Sequence, residues 1–161
     1  MARELSTRDT YGRVLAELGR EDPTIVVLDA DLSKSTMTRL FAKEFPDRFF
    51  DCGIAEQNMM GIAAGLAASG KTVFASTFAV FATSRCFDQL RMSIAQPKRN
   101  VKIVATHGGI TVGEDGFSHH AIEDLALACS LPGFTVVAPA DAIETEQVIR
   151  AASSTPGPFY I

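Results

Sequence analysis

The sequence predicts a three-layer α/β domain: a doubly wound, mostly parallel sheet of about six strands with helices on both faces. Three observations predict it. Apolar runs of strand length alternate with helical patterns of about 8–16 residues along the whole chain. Hydrophobic residues make up 47% of the 161 residues and charged ones only 21%, enough apolar surface for one domain with a substantial core. No internal repeat or low-complexity tract interrupts the alternation.

The elements come in a regular order. Ser6-Thr-Arg-Asp9 has the spelling of a capping box and opens a helix through about Leu18. Thr24–Asp29 is the first strand, followed by a polar loop from Asp29 to Thr36 and a helix from about Met37 to Phe45, stopped by Pro46. A short strand, Phe49–Asp51, leads through Gly53 into an apolar helix that Gly70 ends. Thr72–Ser76 is the third strand, and Phe78 to Ser93 reads as a helix that Pro97 would not let continue. Val101–Thr106 is the fourth strand. A polar, glycine-rich loop spans His107 to His120, and a short helix runs from Ala121 to about Cys129. Phe134–Ala138 is the fifth strand, Asp141 caps a helix to about Ala152, and Phe159–Ile161 begins a sixth. A chain that stops inside a strand suggests a domain of something longer, or a partner that supplies the remainder.

Composition excludes several function classes. A formal charge of -4 leaves no basic footprint for nucleic acid. No apolar run reaches the ~20 residues of a membrane span, and the amino terminus has no apolar signal region, so a cytoplasmic protein is expected. Cys52, Cys86 and Cys129 are isolated, with neither disulfide nor zinc spacing, and read as buried small hydrophobes.

In an open parallel sheet, ligands bind beyond the carboxyl ends of the strands. Asp31 and Ser35 follow the first strand, Glu56 and Gln57 the second, Phe78 and Phe81 the third, and His107, Asp115 and His119 the fourth. Glu56 is the one carboxylate at the entrance of a helix with no charge from Met59 to Ala68, a helix expected to be buried all round. All three histidines fall in the glycine-rich loop. Gly65-Leu-Ala-Ala-Ser-Gly70-Lys71-Thr72 spells a P-loop, but here the helix precedes the glycine and the strand comes after it, so the wrong helix end would face a phosphate. His107, Glu114, Asp115 and His119 match no regular metal-ligand spacing, and no metal ligand is assigned.

Asp51-Cys-Gly-Ile-Ala-Glu56-Gln57 before an Ala/Gly-rich helix resembles the pyrimidine-binding domain of the transketolase family. So do the run from Ala105 to His119 (Thr106-His107, Gly113-Glu114-Asp115-Gly116, His119), Ala30-Asp31-Leu32, Thr77-Phe78-Ala79-Val80-Phe81 and Val137-Ala138-Pro139-Ala140-Asp141. These blocks lie in the family's order over nearly the whole chain. The resemblance implies thiamine diphosphate as cofactor, with magnesium and the diphosphate held by a partner domain or subunit. Glu56 matches the glutamate that hydrogen-bonds the aminopyrimidine and favours the imino tautomer that generates the ylid. An apolar setting would favour the carboxyl group's neutral, donor form. Phe81 matches the aromatic residue stacked on the pyrimidine, Phe78 a second wall, and Asp31 a further cofactor contact. Asp115 and His119 match residues that bond the sugar hydroxyls, with Glu56 and His119 the implied catalytic residues. His107, Ser35 and Arg3 match residues near the sugar phosphate.

The departures are equally specific. Ser84 stands where many relatives carry a larger aromatic side chain, and Gly108-Gly109 replaces a more polar pair. A further phosphate arginine would fall beyond Ile161, and the Gly-Asp-Gly pattern of the family's metal-binding domain is absent. The expectation is the carboxy-terminal subunit of a split transketolase, or its first domain, moving a two-carbon ketol unit between sugar phosphates of the pentose phosphate class. It should work within a dimer or heterotetramer and be inactive alone, with Gly61, Ala64, Gly65 and Ala68 allowing a partner helix to approach. Deoxyxylulose-phosphate synthase, the beta subunit of a 2-oxoacid dehydrogenase and a non-catalytic partner module are the alternatives.

Overall fold

Ser6, the first residue that the computed structural model describes (residues 6–161), caps α1 (Thr7–Glu21) by accepting the Asp9 amide at 3.2 Å. Its hydroxyl also donates to the Asp9 carboxylate at 2.7 Å, in place of the second backbone bond of a full capping box. The strands β1 (Ile25–Asp29), β2 (Phe49–Asp51), β3 (Thr72–Phe78), β4 (Val101–Thr106), β5 (Thr135–Val136) and β6 (Phe159–Tyr160) form one sheet in the order β2-β1-β3-β4-β6-β5. Every pairing is parallel. The order reverses between β1 and β3, and their carboxyl ends flank the crevice where such sheets bind ligands.

Alternate residues of the central strands enter two cores, as burial on both faces of a parallel sheet requires. Ile25, Val27, Phe74 and Val104 pack with Tyr11, Leu15 and Leu18 of α1, Phe41 of α3 (Arg39–Glu44) and Ile149 of α6 (Ala142–Ser154). Val26, Leu28, Val73, Ala75 and Ile103 pack with Met59, Met60 and Ala63 of α4 (Glu56–Ala68), with Leu90 and Ile94, and with Ala128 of α5 (Asp124–Cys129). Asp141 caps α6 as expected, accepting the Glu144 amide at 2.8 Å. An ion network of Arg13, Glu17, Glu146 and Arg150 joins α1 to α6 along the surface.

Four local expectations are corrected. The helix expected from Met37 begins only at Arg39 (α3), and the polar loop expected before it holds a short helix, α2 (Ser33–Thr36); Met37, between the two, takes a left-handed backbone (φ 66°). The hydroxyls of Thr36 and Thr38, on either side of it, both donate to the buried Asp29 carboxylate at 2.7 and 2.8 Å, which fixes the break. The helix expected over Phe78–Ser93 starts after Phe78, which belongs to β3, and is largely π-helical, over Phe81–Arg85 and Gln89–Ala95. Helix α4 is buried on one face only: Gly61, Ile62 and Gly65 are exposed, and a Cβ at either glycine would meet nothing within 4 Å. Its apolar composition therefore marks an uncovered face rather than an interior helix. Cys86 is buried and Cys52 half-buried, whereas Cys129 is exposed.

Candidate active site

Strand β2 ends at Asp51, whose Oδ1 accepts the amides of Gly53 at 2.9 Å and Asp31 at 3.0 Å. One carboxylate thus ties together the loops that leave β1 and β2. Gly53 has φ 67°, and the turn closes with the Ala55 amide on the Gly53 carbonyl at 2.7 Å. This turn delivers Glu56 as the first residue of α4, with its side chain only 5% exposed. The dry carboxylate inferred from the sequence is present, at the positive end of its helix.

It is not surrounded by apolar groups alone. Arg85 Nη1 donates to Glu56 Oε1 at 3.0 Å, so a guanidinium faces the buried carboxylate where an apolar setting was expected. The same guanidinium lies 4.0 Å from the centroid of the Phe81 ring. Phe81 stacks near-parallel to Phe78, with centroids 5.9 Å apart. The His107 ring packs on Phe78 at 4.0 Å, and His119 meets Phe81 edge-on at 5.2 Å and Phe78 at 6.2 Å. Residues from β3, α4, the π-helical stretch and the glycine-rich loop thereby form one contiguous group.

The histidines are held by their neighbours. His107 has a left-handed backbone (φ 62°), and its Nδ1 is 2.7 Å from Thr106 Oγ1. Burial pushes its imidazole below the ordinary value, Arg8 and His119 add to that, and Asp115 opposes them. The ring is accordingly neutral at physiological pH, able to donate or accept one hydrogen bond. His119 Nδ1 lies 3.0 Å from Ser118 Oγ. Asp115 is exposed at the rim of the loop, near enough to His107 to act on its titration.

Asp31 and Ser35 lie on the loop and short helix that follow β1. Asp31 is exposed with φ 64°, in a loop fixed by the buried Asp29, and Ser35 is half-buried in α2. Among the described residues, no hydrogen bond joins either side chain to Glu56, Phe81 or the histidines. Arg3 lies outside the described residues. Ser84 is exposed and donates to Glu123 at 3.3 Å. Cys52 and Cys86 have thiols raised by burial, Cys86 to about 12, so neither is a ready nucleophile.

A cleft of about 990 Å³ opens beside His107, lined by Tyr11, Thr106, Asp124 and Tyr160, but Glu56, Phe78 and Phe81 are not among its walls. His107 thus belongs both to the aromatic group and to the wall of this cleft. Residues 3–161 match the family model of the transketolase pyrimidine-binding domain. The chain belongs to the transketolase pyrimidine-binding domain family. It is 56% identical over 154 residues to a putative transketolase C-terminal section of Methanocaldococcus jannaschii, covering 96% of this chain and 49% of that protein. It is 46% identical over 159 residues to human transketolase, covering 98% of this chain and 25% of that one. A solved split gene transketolase, described as an inactive beta4 tetramer, superposes with a TM-score of 0.87 at 57% identity, over 99% of this chain and 51% of that one. The chain thus spans about half the length of the archaeal relative and a quarter of the human one.

Arg85 is the residue that sequence reasoning missed. Its signal was the spacing: Phe81 and Arg85 stand four apart and so share a face of any helical turn. What the spacing does not contain is Glu56 opposite that face, which comes from another element.

Proposed function

We propose that this chain supplies the pyrimidine-binding half of a thiamine diphosphate-dependent transketolase, and that the assembled enzyme transfers a two-carbon ketol unit between ketose and aldose phosphates. The observation that carries the reading is a buried carboxylate beside a stacked phenylalanine pair at the carboxyl edge of a parallel sheet. An aminopyrimidine is a flat ring with N–H donors on its edge, and these residues offer an acceptor and an aromatic face for it. The guanidinium of Arg85, itself planar and N–H-donating, engages both, which supports that fit.

When bound, thiamine diphosphate supplies the carbanion chemistry, and the protein supplies orientation and electrostatics. Glu56 accepts a hydrogen bond from the pyrimidine edge and biases its tautomer. Phe81 stacks on the ring, Phe78 braces Phe81, and Asp31 contributes at the crevice mouth. His119 and Asp115 bond sugar hydroxyls, and His119 exchanges a proton with the substrate oxygen. His107, Ser35 and Arg3 contribute to binding the sugar phosphate.

The diphosphate and magnesium belong to a partner subunit or domain, in a dimer or heterotetramer. Gly61, Ile62 and Gly65 on α4 and the exposed Ile54 form an uncovered face of the kind such a partner would bury. The inactive tetramer of the similar split enzyme accords with a chain that cannot act alone. We place the protein in the cytoplasm; among the described residues, no helix is long and apolar enough to cross a membrane. The test is co-purification with the diphosphate-binding subunit, then an assay with a panel of ketose and aldose phosphates. Turnover is expected only from the complex. Turnover by this chain alone, or none by the complex on any sugar pair, would contradict the proposal.

A further inference from the structure

We propose that Arg85 is a built-in competitor for the pyrimidine site: its guanidinium holds the Glu56 carboxylate and the Phe81 ring, and must release both before an aminopyrimidine can take them. This rests on the function proposed above. The two occupants need the same atoms. Arg85 Nη1 takes Glu56 Oε1 at 3.0 Å, and the guanidinium carbon sits 4.0 Å from the Phe81 centroid, the distance of a stacked group. A pyrimidine stacked on that face and donating to that carboxylate would overlap the guanidinium, so the forms exclude one another.

The geometry also supplies a way out. The Glu56 side chain is 5% exposed but that of Arg85 is 49% exposed, so the arginine reaches the site from the solvent side. Its backbone is pinned, because Gln57 Nε2 donates to the Arg85 carbonyl at 2.8 Å across to α4. A pinned backbone with a half-exposed, rotamer-rich side chain lets the guanidinium swing out without moving the π-helical stretch Phe81–Arg85. The physical need is equally plain. A carboxylate buried without a partner is costly, and Arg85 compensates Glu56 until a ligand does. The consequence is a tax on affinity, since only the fraction of molecules with Arg85 displaced can bind.

The test is calorimetric titration of thiamine diphosphate with magnesium into the reconstituted complex, for wild type and for the Arg85→Ala, Arg85→Lys and Glu56→Ala variants. Arg85→Ala should bind about two- to tenfold more tightly than wild type. Arg85→Lys, which keeps the charge but loses the planar stack, should fall between. A melt of each variant chain shows that it is folded, as substitution of a half-exposed side chain should allow. The arginine Nε–H resonance of Arg85 should shift on adding the cofactor to wild type. Weaker or unchanged binding by Arg85→Ala would overturn the proposal and mean that the arginine stays in place in the loaded site. A wild-type complex that does not bind the cofactor, or a Glu56→Ala complex that binds like wild type, would instead overturn the underlying function and this inference with it. Normal wild-type binding, loss in Glu56→Ala and no gain in Arg85→Ala would overturn the inference alone.

Discussion

Replacing Asp29 by Ala should destabilise the domain more than any exposed substitution, and the structure gives the size of the effect. The Asp29 carboxylate is fully buried and accepts from the Leu32 amide at 2.7 Å, Thr36 Oγ1 at 2.7 Å and Thr38 Oγ1 at 2.8 Å. Truncation to alanine strands these donors. Thr36 has substitutes in the Leu32 carbonyl at 3.2 Å and Thr38 Oγ1 at 3.1 Å, so the Leu32 amide and one hydroxyl bear the loss. At about 1–3 kcal/mol for each buried group left unpaired, the cost is about 2–6 kcal/mol. For a domain of this size, at about 2–4 °C per kcal/mol, the midpoint should fall by about 4–24 °C. Asp29→Asn keeps one acceptor and should cost less. The pair of variants also has a pH signature. Burial raises the Asp29 carboxyl above its ordinary value, with Asp51 adding to that, while the Leu32, Thr36 and Thr38 hydrogen bonds oppose it. A raised folded value means that the contribution is fully present below the unfolded value and declines as pH rises through the folded one. The advantage of wild type over Asp29→Asn should therefore shrink from acid toward neutral pH. Denaturant melts across that range decide the matter. A loss below about 1 kcal/mol for Asp29→Ala would refute the claim that this carboxylate organises the loop carrying Asp31.

Three further predictions concern the site and its surroundings. His107 titrates below its ordinary value, so between that lowered value and about 6.5 the unfolded chain binds the extra proton. Its contribution to stability should be lost as pH falls through that window, and His107→Gln should flatten the acid limb of a stability-against-pH curve. An unchanged limb would mean that the imidazole is not held neutral. In α4, Gly61→Ala and Gly65→Ala should each stabilise the chain by about 0.5–1 kcal/mol, since both sites are open and helical. Gly65→Leu should leave the chain folded but block assembly with the partner, as read by size-exclusion chromatography; undiminished assembly would remove α4 from the interface.

Much of this was legible in the residues, for identifiable reasons. The strands announced themselves as apolar runs because a parallel sheet is buried on both faces, and Ser6 and Asp141 announced helix starts because caps act locally. Glu56, Phe78, Phe81, His107 and His119 could be nominated because a doubly wound fold gathers strand ends at one edge. The misreadings arise where a side-chain contact or an uncovered face, rather than local pattern, decides the structure. The helix expected from Met37 starts late because the hydroxyls of residues 36 and 38 are drawn to Asp29. Composition made α4 look interior when half of it faces outward, since an apolar helix reads alike in a core and at an uncovered face. The Arg85–Glu56 pair spans 29 positions and two elements, and no local pattern contains it.

The central claim is that Glu56 works on a bound pyrimidine. It is tested most directly by the rate at which the thiazolium C2 proton of thiamine diphosphate exchanges with deuterium in the reconstituted complex. Glu56→Gln should slow that exchange by about 10²–10⁴-fold while the complex stays assembled. Exchange within about fivefold of wild type in a fully assembled Glu56→Gln complex would contradict the account.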